Sequence, residues 1–143
     1  MAIWQFSCYV IPKEKADISN HLEIDEISTW RKQGTSTETI DFLDKRKSWS
    51  NERSQYGNED GTCIEFIYDN EVLMEIYCRL DMRSLTKEML KKILNFVEEI
   101  DGLIFYEGEI YSPNMREIIE IIKKSRATRF CKDPIKFLQE LDS

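Results

Sequence analysis

Apolar and polar residues alternate most cleanly between Thr62 and Met82. From Thr62 to Tyr68, Ile64, Phe66 and Tyr68 fall on one face and Cys63, Glu65 and Ile67 on the other. A period of two is the mark of a strand with unlike faces. Asp69-Asn70 suits a two-residue turn, because both residue types tolerate positive φ. Beyond it, Val72, Met74, Ile76, Cys78, Leu80 and Met82 share a face. Glu71, Glu75, Arg79 and Asp81 take the other, with Leu73 and Tyr77 among them. The pattern predicts an antiparallel hairpin with one buried face.

The same reading predicts a strand over 3–11, where Trp4, Phe6, Cys8 and Val10 alternate and Pro12 ends the run. Residues 85–100 form the best helix, with Leu85, Met89, Ile93, Phe96, Val97 and Ile100 on one stripe. Ser84 or Thr86 caps it and Asp101-Gly102 stops it. Leu103 to Tyr111 is a strand interrupted by Gly108, which marks a bulge, a hairpin turn or a close backbone approach. Ser112-Pro113 opens a helix to about Lys124, and Asp133-Pro134 opens a short last one. Residues 13–34 suit one or two helical turns, and Thr39–Leu43 a short strand. Asp44 to Gly61, rich in Ser, Asn, Gly and charge, reads as a long surface loop. Antiparallel strands followed by segregated helices predict an α+β fold, a mainly antiparallel sheet with helices on one face.

At 143 residues, one domain spanning 1–143 is expected. Hydrophobic residues are 41% and charged residues 33% of the chain, the balance of a globular protein. Three Trp, six Tyr and seven Phe supply a bulky core. The net charge of −7 repels a phosphate backbone, so nucleic acid is not an expected partner. It favours a basic protein partner instead. No apolar run is long enough to cross a bilayer and the N-terminus does not resemble a signal peptide, so a cytoplasmic location is expected, with no membrane contact. Cys8, Cys63, Cys78 and Cys131 form no C-x-x-C and are expected as reduced core residues.

The chemistry visible in the chain is sparse. His21 is the single histidine, so paired-histidine metal sites are excluded, and no G-x-S-x-G elbow or phosphate loop occurs. No cofactor is expected. Carboxylates remain, because acid–base work needs only two of them in a cleft. Glu107 and Glu109 share a face if their strand is continuous, near Tyr106 and Tyr111. They read either as a small acidic or cation-binding site or as a solvated strand face. Glu65, Glu75 and Asp81 invite the same two readings. The 44–61 loop carries Trp49 and Tyr56 beside Glu59 and Asp60, aromatic types common in binding hot spots. Either that loop meets a partner or its aromatics tuck into the domain. Lys123, Lys124, Arg126, Arg129 and Lys132 form a basic stretch suited to a helix C-terminus.

The tail Ser125-Arg126-Ala127-Thr128-Arg129-Phe130-Cys131-Lys132-Asp133-Pro134-Ile135-Lys136-Phe137-Leu138, with Asp101-Gly102-Leu103-Ile104 upstream, resembles the ending of small uncharacterised bacterial proteins. Some of these are similar to the immunity proteins that accompany secreted toxins. The resemblance covers the last third of the chain and carries no active residues with it. It implies a non-enzymatic, immunity-like domain that masks a toxin. The residues expected to serve a partner are Trp49, Tyr56, Glu59, Asp60, Glu107 and Glu109. A carboxylate-dependent hydrolase, with or without a divalent metal, and a homodimer formed through a hairpin edge strand are the alternatives.

Overall fold

The structure is a computed structural model and describes residues 2–15, 28–47 and 50–131. The described strands are β1 (Gln5–Pro12), β2 (Lys32–Gln33), β3 (Lys45–Arg46), β4 (Arg53–Gly57), β5 (Cys63–Asp69), β6 (Val72–Asp81), β7 (Gly102–Tyr106) and β8 (Glu109–Tyr111). They form one 8-stranded sheet in the order β3-β4-β5-β6-β1-β7-β8, and β2 also pairs with β6. Every pairing is antiparallel. The helices are α1 (Lys87–Glu99), α2 (Met115–Lys123) and α3 (Arg126–Phe130). The fold is α+β.

One face of the sheet carries the main core. Phe6, Cys8 and Val10 of β1 join Ile64 and Phe66 of β5 and Ile76, Cys78 and Leu80 of β6. Leu90, Ile93, Phe96 and Val97 of α1 and Ile118, Ile119 and Ile122 of α2 close over them. Tyr9, Ile11, Leu103, Phe105 and Ile110 form a smaller cluster on the opposite face. The alternation along β1 sorts its residues between these two clusters.

The hairpin departs from strict alternation at one place. Ile67 faces Glu75, but Tyr68 faces Leu73, so one step on β5 spans two on β6. Met74 is the extra residue of a bulge. Past it the faces exchange, which takes Leu73 from the polar side to complete burial. The freed Met74 carbonyl accepts a 2.8 Å hydrogen bond from the Trp30 amide, and the Trp30 indole donates to the Val10 carbonyl at 2.8 Å. Trp30 therefore bridges β1 and β6 before its chain continues into β2.

Turns and caps also shift. The hairpin turns on Asn70 and Glu71, with φ of 49° and 66°, rather than on Asp69-Asn70. Thr86 caps α1, its hydroxyl accepting from the Met89 amide at 3.1 Å. The next helix is capped by Asn114, whose side chain accepts from Arg116 and Glu117, so Pro113 stands outside α2. The short α3, capped by Ser125, has no counterpart in the sequence pattern. Thr39–Leu43 is not a strand, and the predicted 44–61 loop instead holds β3 and β4. Backbone pairing to β5 builds β4 although Tyr56 is its one large apolar residue. The expected last helix, residues 16–27 with His21, and Trp49 lie outside the described residues.

The 62–82 hairpin offers no free edge for a homodimer, since β4 flanks β5 and both β1 and β2 flank β6. All four cysteines are buried and free of disulfides. Among the described residues no helix is long and apolar enough to cross a membrane.

Gly57 ends β4 at φ 86°, its amide donating to the Asp44 carbonyl at 2.8 Å. A Cβ there would collide with the Thr62 carbonyl oxygen. Gly57→Ala is expected to cost about 2–3 kcal/mol, read as a lower urea midpoint. An unchanged midpoint would show that the β4–β5 turn is not a fixed part of the fold.

Candidate functional site

β1, β3, β5 and β8 begin at the end of the sheet where β4, β6 and β7 finish, so that end carries the 58–62 and 107–108 turns. The 58–62 turn has an unusual anchorage. The Gln5 amide group donates to the carbonyls of Glu59 (2.8 Å) and Gly61 (2.7 Å), and its oxygen accepts from the Ala2 amide at 2.9 Å. The Trp4 indole and the Arg83 guanidinium both donate to the Asp60 carbonyl, at 2.8 and 3.2 Å. Arg83 also grips Asp81 through two hydrogen bonds of 3.0 and 2.9 Å and lies over the Trp4 ring at 4.0 Å. The backbone of Glu59 and Asp60 is thus held from inside. Their side chains are left exposed at the sheet end.

The other turn is a tight hairpin. Glu107 and Gly108 have φ of 46° and 81°, the two successive positive values of a type I′ turn. The strand is therefore not continuous, and Glu107 and Glu109 do not share a strand face. Both are exposed, and Glu107 borders a cavity of about 580 Å³ beside β1. The continuous strand face that would have set the two carboxylates side by side is replaced by the turn.

Two of the other suspected carboxylates, Glu65 and Asp81, are held in ion pairs. Glu65, its side chain 7% exposed, lies 3.5 Å from Arg53 and 3.2 Å from Arg79. Asp81 is bound by Arg83. Among the described residues no group of three or more His, Cys, Asp or Glu is placed to hold a metal ion. Two of the cysteines are pushed toward the neutral thiol. Burial pushes the Cys63 thiol up to about 11, and Cys78 is raised by its hydrogen bond with Cys8, which faces it across β1 and β6, and by burial.

Tyr56 is not a surface contact. It is 7% exposed and donates its hydroxyl proton to Glu38 at 2.8 Å. Tyr68 donates to the second oxygen of the same carboxylate, and Lys45 approaches it at 3.4 Å. Glu38, with a side chain 3% exposed, lies in a stretch without periodicity and carries no local sign of this role. Burial would raise its carboxyl pKa, but hydrogen bonds from Tyr68, Tyr56 and Ser54 and the Lys45 charge outweigh that and hold it below the ordinary 4.5. The same burial and the nearby carboxylate raise both tyrosines. This satisfied network ties the 38–45 segment to β4 and β5.

Of the six residues expected to serve a partner, Glu59, Asp60, Glu107 and Glu109 fall at one end of the sheet. Tyr56 is internal, and Trp49 lies outside the described residues. No family model, curated protein or solved structure matches this chain.

Removing the Glu38 carboxylate leaves two buried phenols without an acceptor. Glu38→Ala is expected to cost about 2–4 kcal/mol. The wild-type contribution is complete above the unfolded glutamate pKa and is lost as pH falls through the lower folded one. Urea midpoints of Glu38→Gln should therefore fall less steeply than those of the wild type below about pH 4.5. Parallel acid limbs would show that the carboxylate is not held in the network.

Proposed function

We propose that this domain is a non-enzymatic binding protein of immunity type, which engages a basic protein partner through the acidic end of its sheet. One observation carries the reading. Asp44, Glu59, Asp60, Glu107 and Glu109 all lie at that end, and among the described residues none has an ion-pair partner. Three basic side chains beside them are already engaged. Lys45 pairs with Glu38, Arg83 with Asp81, and Arg46 hydrogen-bonds to Asn58. Arg126 stands exposed across a cleft from Glu107, and the five carboxylates outnumber it.

The two turns are centred four strand spacings apart, about 19 Å. A single standard interface of about 800 Å² per partner covers both. Their fixed backbones present the carboxylates with little ordering left to do on binding. Unpaired surface charges of one sign accelerate the encounter with an oppositely charged partner and reject like-charged ones.

The test is binding of the full chain to the protein encoded by the neighbouring gene, followed by surface plasmon resonance at low and high salt. The association rate is expected to fall about tenfold or more from 50 to 500 mM salt. Glu59→Lys with Asp60→Lys should slow it about as much at low salt while leaving the fold intact by circular dichroism. A neighbour that does not bind, or one whose binding ignores both salt and the double substitution, sinks the proposal.

A further inference from the structure

β1 and β7 are in register only as far as Tyr9 and Phe105, after which the chain turns back at Glu107-Gly108. The divergence opens the cavity of about 580 Å³, bounded also by Ser125, Arg126 and Ala127 at the start of α3. Its volume is within the usual range for sites that seat a small group. Five of its thirteen lining residues are aromatic, Phe6 and Tyr106 from the helix-covered face and Tyr9, Tyr77 and Phe105 from the other. Phe6 and Tyr106 stack with ring centroids 4.5 Å apart, and Tyr9 meets Tyr77 edge-on at 5.0 Å. Glu107 stands at the mouth, exposed on its turn.

Resting on the acidic-end reading, we infer that this cleft is the anchor point of the interface and takes one arginine or lysine side chain of the partner. Aromatic walls with a carboxylate at the rim suit a cation that also has an apolar stem. Guanidinium–ring packing already occurs twice nearby, with Arg83 over Trp4 at 4.0 Å and Arg79 over Tyr77 at 5.0 Å. The Arg79 charge is offset by Glu65 at 3.2 Å, so it does not close the cleft to a second cation. Arg126 is the opposing group. It is exposed, on the far wall, at the first position of α3. Glu107, hydrogen-bonded with Tyr106 on the aromatic side of the mouth, is the carboxylate placed to meet a cation packed on those rings, and Glu109 follows it on the same turn.

The two residues make opposite predictions. The full chain, labelled with ¹⁵N, is titrated with acetyl-tetra-arginine amide and separately with acetyl-tetra-glutamate amide. The basic peptide should shift the amides of Ser7, Tyr9 and 106–108 saturably, and the acidic one should not. Glu107→Gln should weaken the basic peptide about threefold or more, and Arg126→Glu should tighten it by a similar factor. A glutamate at the first turn of a helix is favourable, so the second variant is expected to fold. Shifts with the acidic peptide at the cleft, weaker basic binding in Arg126→Glu, or no cleft shifts with either peptide would each overturn the assignment. Glu59→Lys with Asp60→Lys separates the two proposals. A natural partner that is sensitive to those changes but indifferent to Glu107→Gln and Arg126→Glu removes the cleft and keeps the acidic end.

Discussion

The pairing of β6 is the constraint on which the rest of the molecule depends. Its later half lies between β5 and β1, and its first two residues pair with β5 and β2. One ten-residue strand thus sets the register of three others. That register places Ile76, Cys78 and Leu80 under the helices and Glu75, Tyr77 and Arg79 on the reverse face. A slip of one residue would bury Arg79 in the core and expose Ile76 and Cys78, which is why a half-buried sheet tolerates no slip. The bulge at Met74 adjusts this pattern without breaking it. It brings Leu73 inward and offers a carbonyl to Trp30, so the segment arriving from β1 is captured where β1 itself ends.

Much of this was legible because period-two and helical patterns are local. The 62–82 hairpin, the helix with Ile93, Phe96 and Val97, and the strand from Trp4 to Val10 announce themselves by spacing alone. The errors share a cause. β4 was hidden because an edge strand needs little apolar surface, and Arg53-Ser54-Gln55 reads as loop until β5 supplies its hydrogen bonds. The bulge was hidden because one residue's excess on β6 is defined only against β5. Pro113 misdirected the start of α2, since the stronger cap, Asn114, follows it.

The site was less legible than the fold, for the same reason. Exposed carboxylates can be named from sequence, but whether each has a partner is a property of distant segments. Glu65 and Glu59 look alike as letters. One is clamped by Arg53 and Arg79; the other has only its backbone held, and its side chain stays free of ion pairs. Glu38 shows the converse, an unremarkable acid that collects two phenols and a lysine from three other elements. Gln5, in a strand dominated by apolar neighbours, turns out to hold an acidic turn in place.

The ends of the sheet order have a consequence of their own. Its two terminal strands, β3 and β8, contain two and three residues. β3 is Lys45-Arg46, both exposed. An incoming strand would find few ladder hydrogen bonds on either side, and at β3 two like charges as well. Crowding therefore does not readily turn one sheet into a template for the next. A concentrated stock should stay clear and monodisperse instead of growing fibrils, and the acidic surface adds mutual repulsion between molecules.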